Sequence, residues 1–171
     1  MKYTSKLGFT LAELLAVVII VALLSGISLG YYKRSVEDSR FAEGLGAASA
    51  LVEAVNQSYF AQQLDGATPT KQPKISTLDI NLAAQKTCSS NTDYCIATPR
   101  FEVHIGTDGQ VSAYRGKLQD SAYKYYIQIN PAFASSSPDQ ISCVGKDANG
   151  QTFCESMGYK TCNSSTFVCT K

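Results

Sequence analysis

FTLAELLAVVIIVALLSGISL, residues 9–29, is apolar except at Thr10, Glu13, Ser25, Gly26 and Ser28. At about 1.5 Å of rise per residue, a helix over this stretch measures about 30 Å, the thickness of a bilayer's hydrocarbon core. The segment is long enough to span a membrane, and Glu13 is the anomaly in it. A carboxylate among aliphatic side chains is costly, and an ionisable residue inside a spanning segment marks a functional site by default. Lys2 and Lys6 precede the run while Lys33, Arg34 and Arg40 follow it, so the positive-inside rule sets no orientation.

Downstream the composition turns charged, but no proline occurs before Pro69 and apolar residues recur at Val36, Phe41, Leu45, Ala48, Val52, Val55 and Tyr59. Gaps of three to five residues mark one face of an amphipathic helix. The sequence therefore predicts a single helix from about Phe9 to Gln63, with Gly26, Gly30, Gly44 and Gly46 as its weak points. Gly66, Pro69 and Pro73 end it in a loop. Alternation over residues 100–105, the turn signal Asp108-Gly109 and the run 110–114 predict a β-hairpin; residues 123–130 read as a third strand closed by Pro131. The fold class expected is α+β: a long N-terminal helix, apolar first and amphipathic second, packed on a small antiparallel sheet.

All six cysteines lie beyond residue 87, at Cys88, Cys95, Cys143, Cys154, Cys162 and Cys169. An even count in the polar part of a chain whose start looks exported reads as a disulfide framework in an oxidising compartment. Proximity favours Cys88–Cys95; for the other four, nested, sequential and crossed pairings stay open. From Ile141 onward glycine, asparagine and cysteine dominate, and this tail is expected to lack a core of its own and to be held by its disulfides.

Lys6-Leu7-Gly8-Phe9-Thr10-Leu11-Ala12-Glu13-Leu14-Leu15, followed by an uncharged apolar run, resembles the class III signal of type IV pilins and related pseudopilins. The likeness is close over residues 2 to 30, extends in layout to about residue 63, and is architectural beyond. It implies a leader of residues 1–8, a transmembrane and filament-core helix over 9–30, and the amphipathic half of that helix over 31–65. An α+β head over 66–140 and a cysteine-rich region over 141–171 follow. It further implies cleavage between Gly8 and Phe9 by a membrane prepilin peptidase, then N-methylation of Phe9. Glu13 would meet the terminal amine of a neighbouring subunit during assembly, or that of Phe9 in its own chain, and either pairing would set register. Partners implied are identical or related pilin subunits, the peptidase/methyltransferase, the inner membrane and the assembly machinery, with the filament extracellular or periplasmic after assembly. Four cysteines within residues 143–169 is denser than the single disulfide loop common in such proteins, which leaves the surface role of that region open.

Other classes find little support in the residues. A net charge of +1 with 17% charged residues gives no basic groove for nucleic acid. No C-x2-C pair is present, and the sole histidine, His104, falls in a predicted strand as a hairpin surface residue. No metal, no cofactor and no catalytic set is therefore nominated. Asp147-Ala148-Asn149-Gly150 starts like a calcium loop, but position twelve would be Gly158, so a turn is the better reading. The triplets at Asn56 and Asn163 fit a glycosylation acceptor without structural support. Two alternatives remain beside a pilus subunit: a type II secretion pseudopilin, and an exported soluble disulfide-rich protein cut before Tyr31, where Ser28 and Gly30 supply small residues.

Overall fold

The structure, a computed structural model, describes residues 10–82, 86–88, 93–116 and 124–171. The chain divides into two compact units, Met1–Ser39 and Arg40–Lys171, and one helix, α1 (Leu11–Leu64), contributes to both. In the first unit the described residues are helical without interruption through Gly26 and Gly30. The large apolar side chains described from Leu11 to Tyr32 are exposed, from 50% at Ile19 to 81% at Leu11, and Val36 is half-buried. None of the most apolar 18-residue window is buried.

In the second unit α1 buries Phe41, Ala47, Ala48, Leu51, Val52 and Val55, the face that the spacing of Phe41, Ala48, Val52 and Val55 predicts. The strands are β1 (Lys86–Thr87), β2 (Cys95–Ala97), β3 (Phe101–Ile105), β4 (Val111–Arg115), β5 (Tyr125–Ile129), β6 (Ile141–Gly145), β7 (Thr161–Cys162) and β8 (Val168–Thr170), with a short helix α2 (Ala148–Ser156) after β6. Among the described residues they form one antiparallel sheet in the order β1-β2-β3-β4-β5-β6-β8-β7. The fold class is thus α+β, with a long helix packed on an antiparallel sheet and three disulfides. The predicted hairpin is β3–β4, closed by the pair Ile105↔Val111. The predicted third strand is β5; its first predicted residue, Tyr123, lies outside the described residues.

Alternation places Phe101, Val103, Ile105, Val111, Ala113, Tyr125, Ile127, Ile129 and Cys143 in one core with the helix face. Gly44 permits close contact there: a Cβ at this position would fall under 3.0 Å from the Phe101 ring. Arg100 Nη1 donates to Glu43 Oε2 at 2.8 Å on the flank of the same contact. A second tether is Asn56, buried on α1, whose Oδ1 accepts from the Ala132 amide at 2.9 Å.

The C-terminal region is held by more than its disulfides: it joins the core shared with α1 and the preceding strands. β6 pairs with β5 over five residues, and Cys143, Cys154, Tyr159 and Cys169 are all at most 1% exposed. The Tyr125 ring stacks on Phe153 at 4.4 Å, and Phe41 of α1 meets Tyr125, Phe153 and Tyr159 at 5.8 to 5.9 Å between ring centres. Glycine here enables packing. A Cβ on Gly150 would lie 2.7 Å from the Gly145 Cα, so the two backbones touch and α2 lies directly on β6. The disulfides are Cys88–Cys95, as proximity favours, and then the sequential pairs Cys143–Cys154 and Cys162–Cys169. The first of these two ties β6 to α2; the second joins the directly opposed residues of β7 and β8.

Candidate functional site

Of the residues singled out at the N-terminus, Gly8 and Phe9 lie outside the described residues, and Glu13 sits in the first turn of α1. The Glu13 Oε2 accepts from the Thr10 amide at 2.8 Å and from the Thr10 hydroxyl at 2.9 Å. In return the Glu13 amide donates to Thr10 Oγ1 at 3.3 Å. This is a capping box: Thr-x-x-Glu closes the helix start by satisfying amides that have no carbonyl ahead of them. The pattern stands in the sequence as Thr10-Leu11-Ala12-Glu13, a signal that becomes readable once the helix start is placed at Thr10. Both accepted bonds fall on Oε2; among the described residues Oε1 has no hydrogen-bond partner, so it can accept from a further donor.

The remaining polar interruptions of the apolar run are closed internally as well. The Ser25 hydroxyl donates to the Val21 carbonyl and the Ser28 hydroxyl to the Leu24 carbonyl, each at 2.7 Å. Such bonds back to residue i−4 remove a hydroxyl's demand for water. The serine hydroxyls of this segment therefore meet the condition that lipid imposes, internal satisfaction of polar groups, while Glu13 Oε1 stays open and the aliphatic surface uncovered. The segment is a candidate membrane span, and a signal sequence passes the same test of length and composition.

A second cluster forms where β2 meets β3. Register sets Cys95 directly opposite His104, with the Cys95 Sγ 3.4 Å from His104 Nε2. Cys88 joins through its disulfide, and one ligand atom from each of Cys88, Cys95 and His104 lies within 4.8 Å of the others. Glu102, two residues along β3 on the same face, puts Oε2 3.7 Å from His104 Nε2. His104 is 16% exposed in its side chain and Glu102 8%, so the surface position expected of His104 is corrected to a largely covered one. Burial pushes the His104 pKa down from the ordinary imidazole value, against the opposing pull of the Glu102 carboxylate. No sequence spacing signals this cluster, because the β2–β3 register creates it.

Three other candidates resolve into structure. Asp147 caps α2, its Oδ1 accepting from the Gly150 amide at 2.9 Å, which accounts for the motif as a helix start. Asn56 is buried in its tether to Ala132, and the Asn163 Oδ1 accepts from the Ser165 amide at 2.9 Å in the turn before β8. A shallow cavity of about 200 Å³ borders Lys71, Asp108, Gln110, Asn130 and Phe133. Its polar groups hold one another: Gln110 Nε2 donates to Asn130 Oδ1 at 2.7 Å, and Asn130 Nδ2 to the Ser137 carbonyl at 2.9 Å. Compared with models of protein families, with curated proteins and with solved structures, the chain matches none of them.

Proposed function

We propose that this chain is a structural subunit, made as a prepilin, that is cleaved after Gly8, N-methylated at Phe9 and polymerised through α1 into a type IV pilus-like filament. The observation that carries this reading is the pairing, in one segment, of internally closed hydroxyls and one open carboxylate oxygen with uncovered aliphatic side chains. Lipid covers such a surface before assembly and neighbouring α1 helices cover it afterwards. Glu13 serves both states. Oε2 caps its own helix start, and Oε1 receives the terminal amine of an incoming subunit, an opposite charge whose attraction strengthens as water is excluded. The capping box keeps the helix start intact after cleavage, because it uses the Thr10 amide and leaves the Phe9 amine to a neighbour. The protein has no enzymatic role in this reading, and its disulfide-closed head faces the exterior.

The test is Glu13→Ala set beside Thr10→Ala in the producing cell, with sheared surface filaments weighed against total mature subunit. Glu13→Ala is expected to leave the mature chain abundant and to lower filament yield more than tenfold; Thr10→Ala, which removes the hydroxyl and keeps the charge, is expected to lower it less. Normal filament yield from Glu13→Ala would overturn the assembly role.

A further inference from the structure

We propose that the Cys88–Cys95 disulfide, His104 and Glu102 form a redox-gated site for a borderline-soft divalent cation of the zinc class, closed when the cysteines are oxidised and open when they are reduced. The donor set is two thiolates, an imidazole and a carboxylate, all types that zinc accepts in tetrahedral sites. From metal–sulfur distances of about 2.3 Å and metal–nitrogen distances of about 2.0–2.1 Å, a tetrahedral edge between sulfur and nitrogen measures about 3.5 Å. The Cys95 Sγ and His104 Nε2 stand 3.4 Å apart. The carboxylate–imidazole edge, about 3.4 Å by the same geometry, compares with 3.7 Å from Glu102 Oε2 to His104 Nε2.

The sulfur–sulfur edge is wrong for a metal, and the Glu102 carboxylate, which stands beside His104 but outside the Cys88–Cys95–His104 group, must turn toward the sulfurs to become the fourth donor. A tetrahedral site needs about 3.8 Å, whereas a disulfide holds its sulfurs at about 2.0 Å and leaves them poor ligands. Reduction corrects both faults of the sulfurs. A dithiol reductant gives two electrons and two protons to the cystine; the S–S bond breaks, two S–H bonds form, and the reductant closes into its own disulfide. The cation then displaces both thiol protons to solvent and takes two thiolates. Two thiolates and one carboxylate against a dication leave a single negative charge in a covered pocket, a far smaller burden than the unmetallated anions would impose. Cys88 and Cys95 are 5% and 3% exposed, so the ligands are shielded from competing water. Placement on paired strands, with Cys95 opposite His104, fixes two of the four donors before any ion arrives, and Glu102 on the same face is near enough to His104 to supply the fourth by a side-chain rotation.

The experiment uses the full chain in detergent, with cobalt(II) as a coloured stand-in for zinc. The oxidised protein is expected to bind none. After reduction by a dithiol without oxygen, one cobalt per chain is expected, with a thiolate-to-metal charge-transfer band that zinc abolishes by displacement. Cys88→Ser with Cys95→Ser should remove the band although the other four cysteines are reduced too. His104→Ala keeps all six cysteines, and it should weaken cobalt binding at least tenfold; it decides the matter should the double variant not fold. No band in the reduced protein, or one that persists unchanged in either variant, overturns the site.

Discussion

Leu15 and Leu51 belong to the same helix, yet Leu15 is 53% exposed and Leu51 0%. Around Leu51 the sheet provides the hydrocarbon; around Leu15 the described residues provide none. The polar groups run the other way. Between Thr10 and Ser28 the hydroxyls and one carboxylate oxygen are closed within the helix, while in the head polar groups reach across elements, as Asn56 does to Ala132 and Arg100 to Glu43. Hydroxyls that close on their own helix can leave water at little cost, which concentrates the penalty of this region in the Glu13 carboxylate. On the proposed function, the first region changes surroundings and the second stays folded through that change.

The contrast breaks most visibly under truncation of Leu51. Leu51→Ala should cost the head about 2–5 kcal/mol, as large-to-small changes at fully buried sites do, read from urea denaturation of the detergent-solubilised protein. Replacing Cys143 and Cys154 together by alanine should cost about 2–4 kcal/mol in the same assay, because the bond joins α2 to β6 inside the core. A cost near zero there would return the tail to the coreless role its composition suggests.

Tyr159 sharpens the comparison from the other side. It is 1% exposed, and its hydroxyl has no hydrogen-bond partner among the described residues. Tyr159→Phe should therefore stabilise the head by about 1 kcal/mol. Burial raises its pKa, so the folded chain keeps the proton beyond the ordinary tyrosine value near about 10. The sign follows: stability is full below about pH 10, falls as the unfolded chain ionises, and is lost through the folded pKa. Phenylalanine should flatten that alkaline decline, measured as denaturation midpoints across the range. Smallest of all should be Leu15→Ala, with less than about 0.5 kcal/mol on head stability. A cost like that of Leu51 would mean that the head already covers the first region.

The helix was legible because its signal repeats over fifty residues: apolar spacing, no proline, then Gly66 and two prolines as a stop. The β3–β4 hairpin was legible from alternation and Asp108-Gly109. β2, β7 and β8 were not, since two or three residues carry no period. β6 and α2 were missed because Gly145 and Gly150 read as loop residues, whereas their value lies in letting two backbones meet. The candidate sites divide in the same way. Glu13 announces itself as a charge out of place, and Thr10 as its partner follows from local spacing. The meeting of Cys95 with His104 depends on how two strands align, which neither strand encodes alone.

The measurement closest to the central claim is the intact mass of this chain recovered from the sheared cell-surface fraction. The expected result is a polypeptide that begins at a methylated Phe9, keeps the whole of α1 and co-sediments with filaments. A chain that begins at Tyr31 and stays soluble would contradict the account, because the surface said to be covered by lipid and then by neighbours would no longer exist.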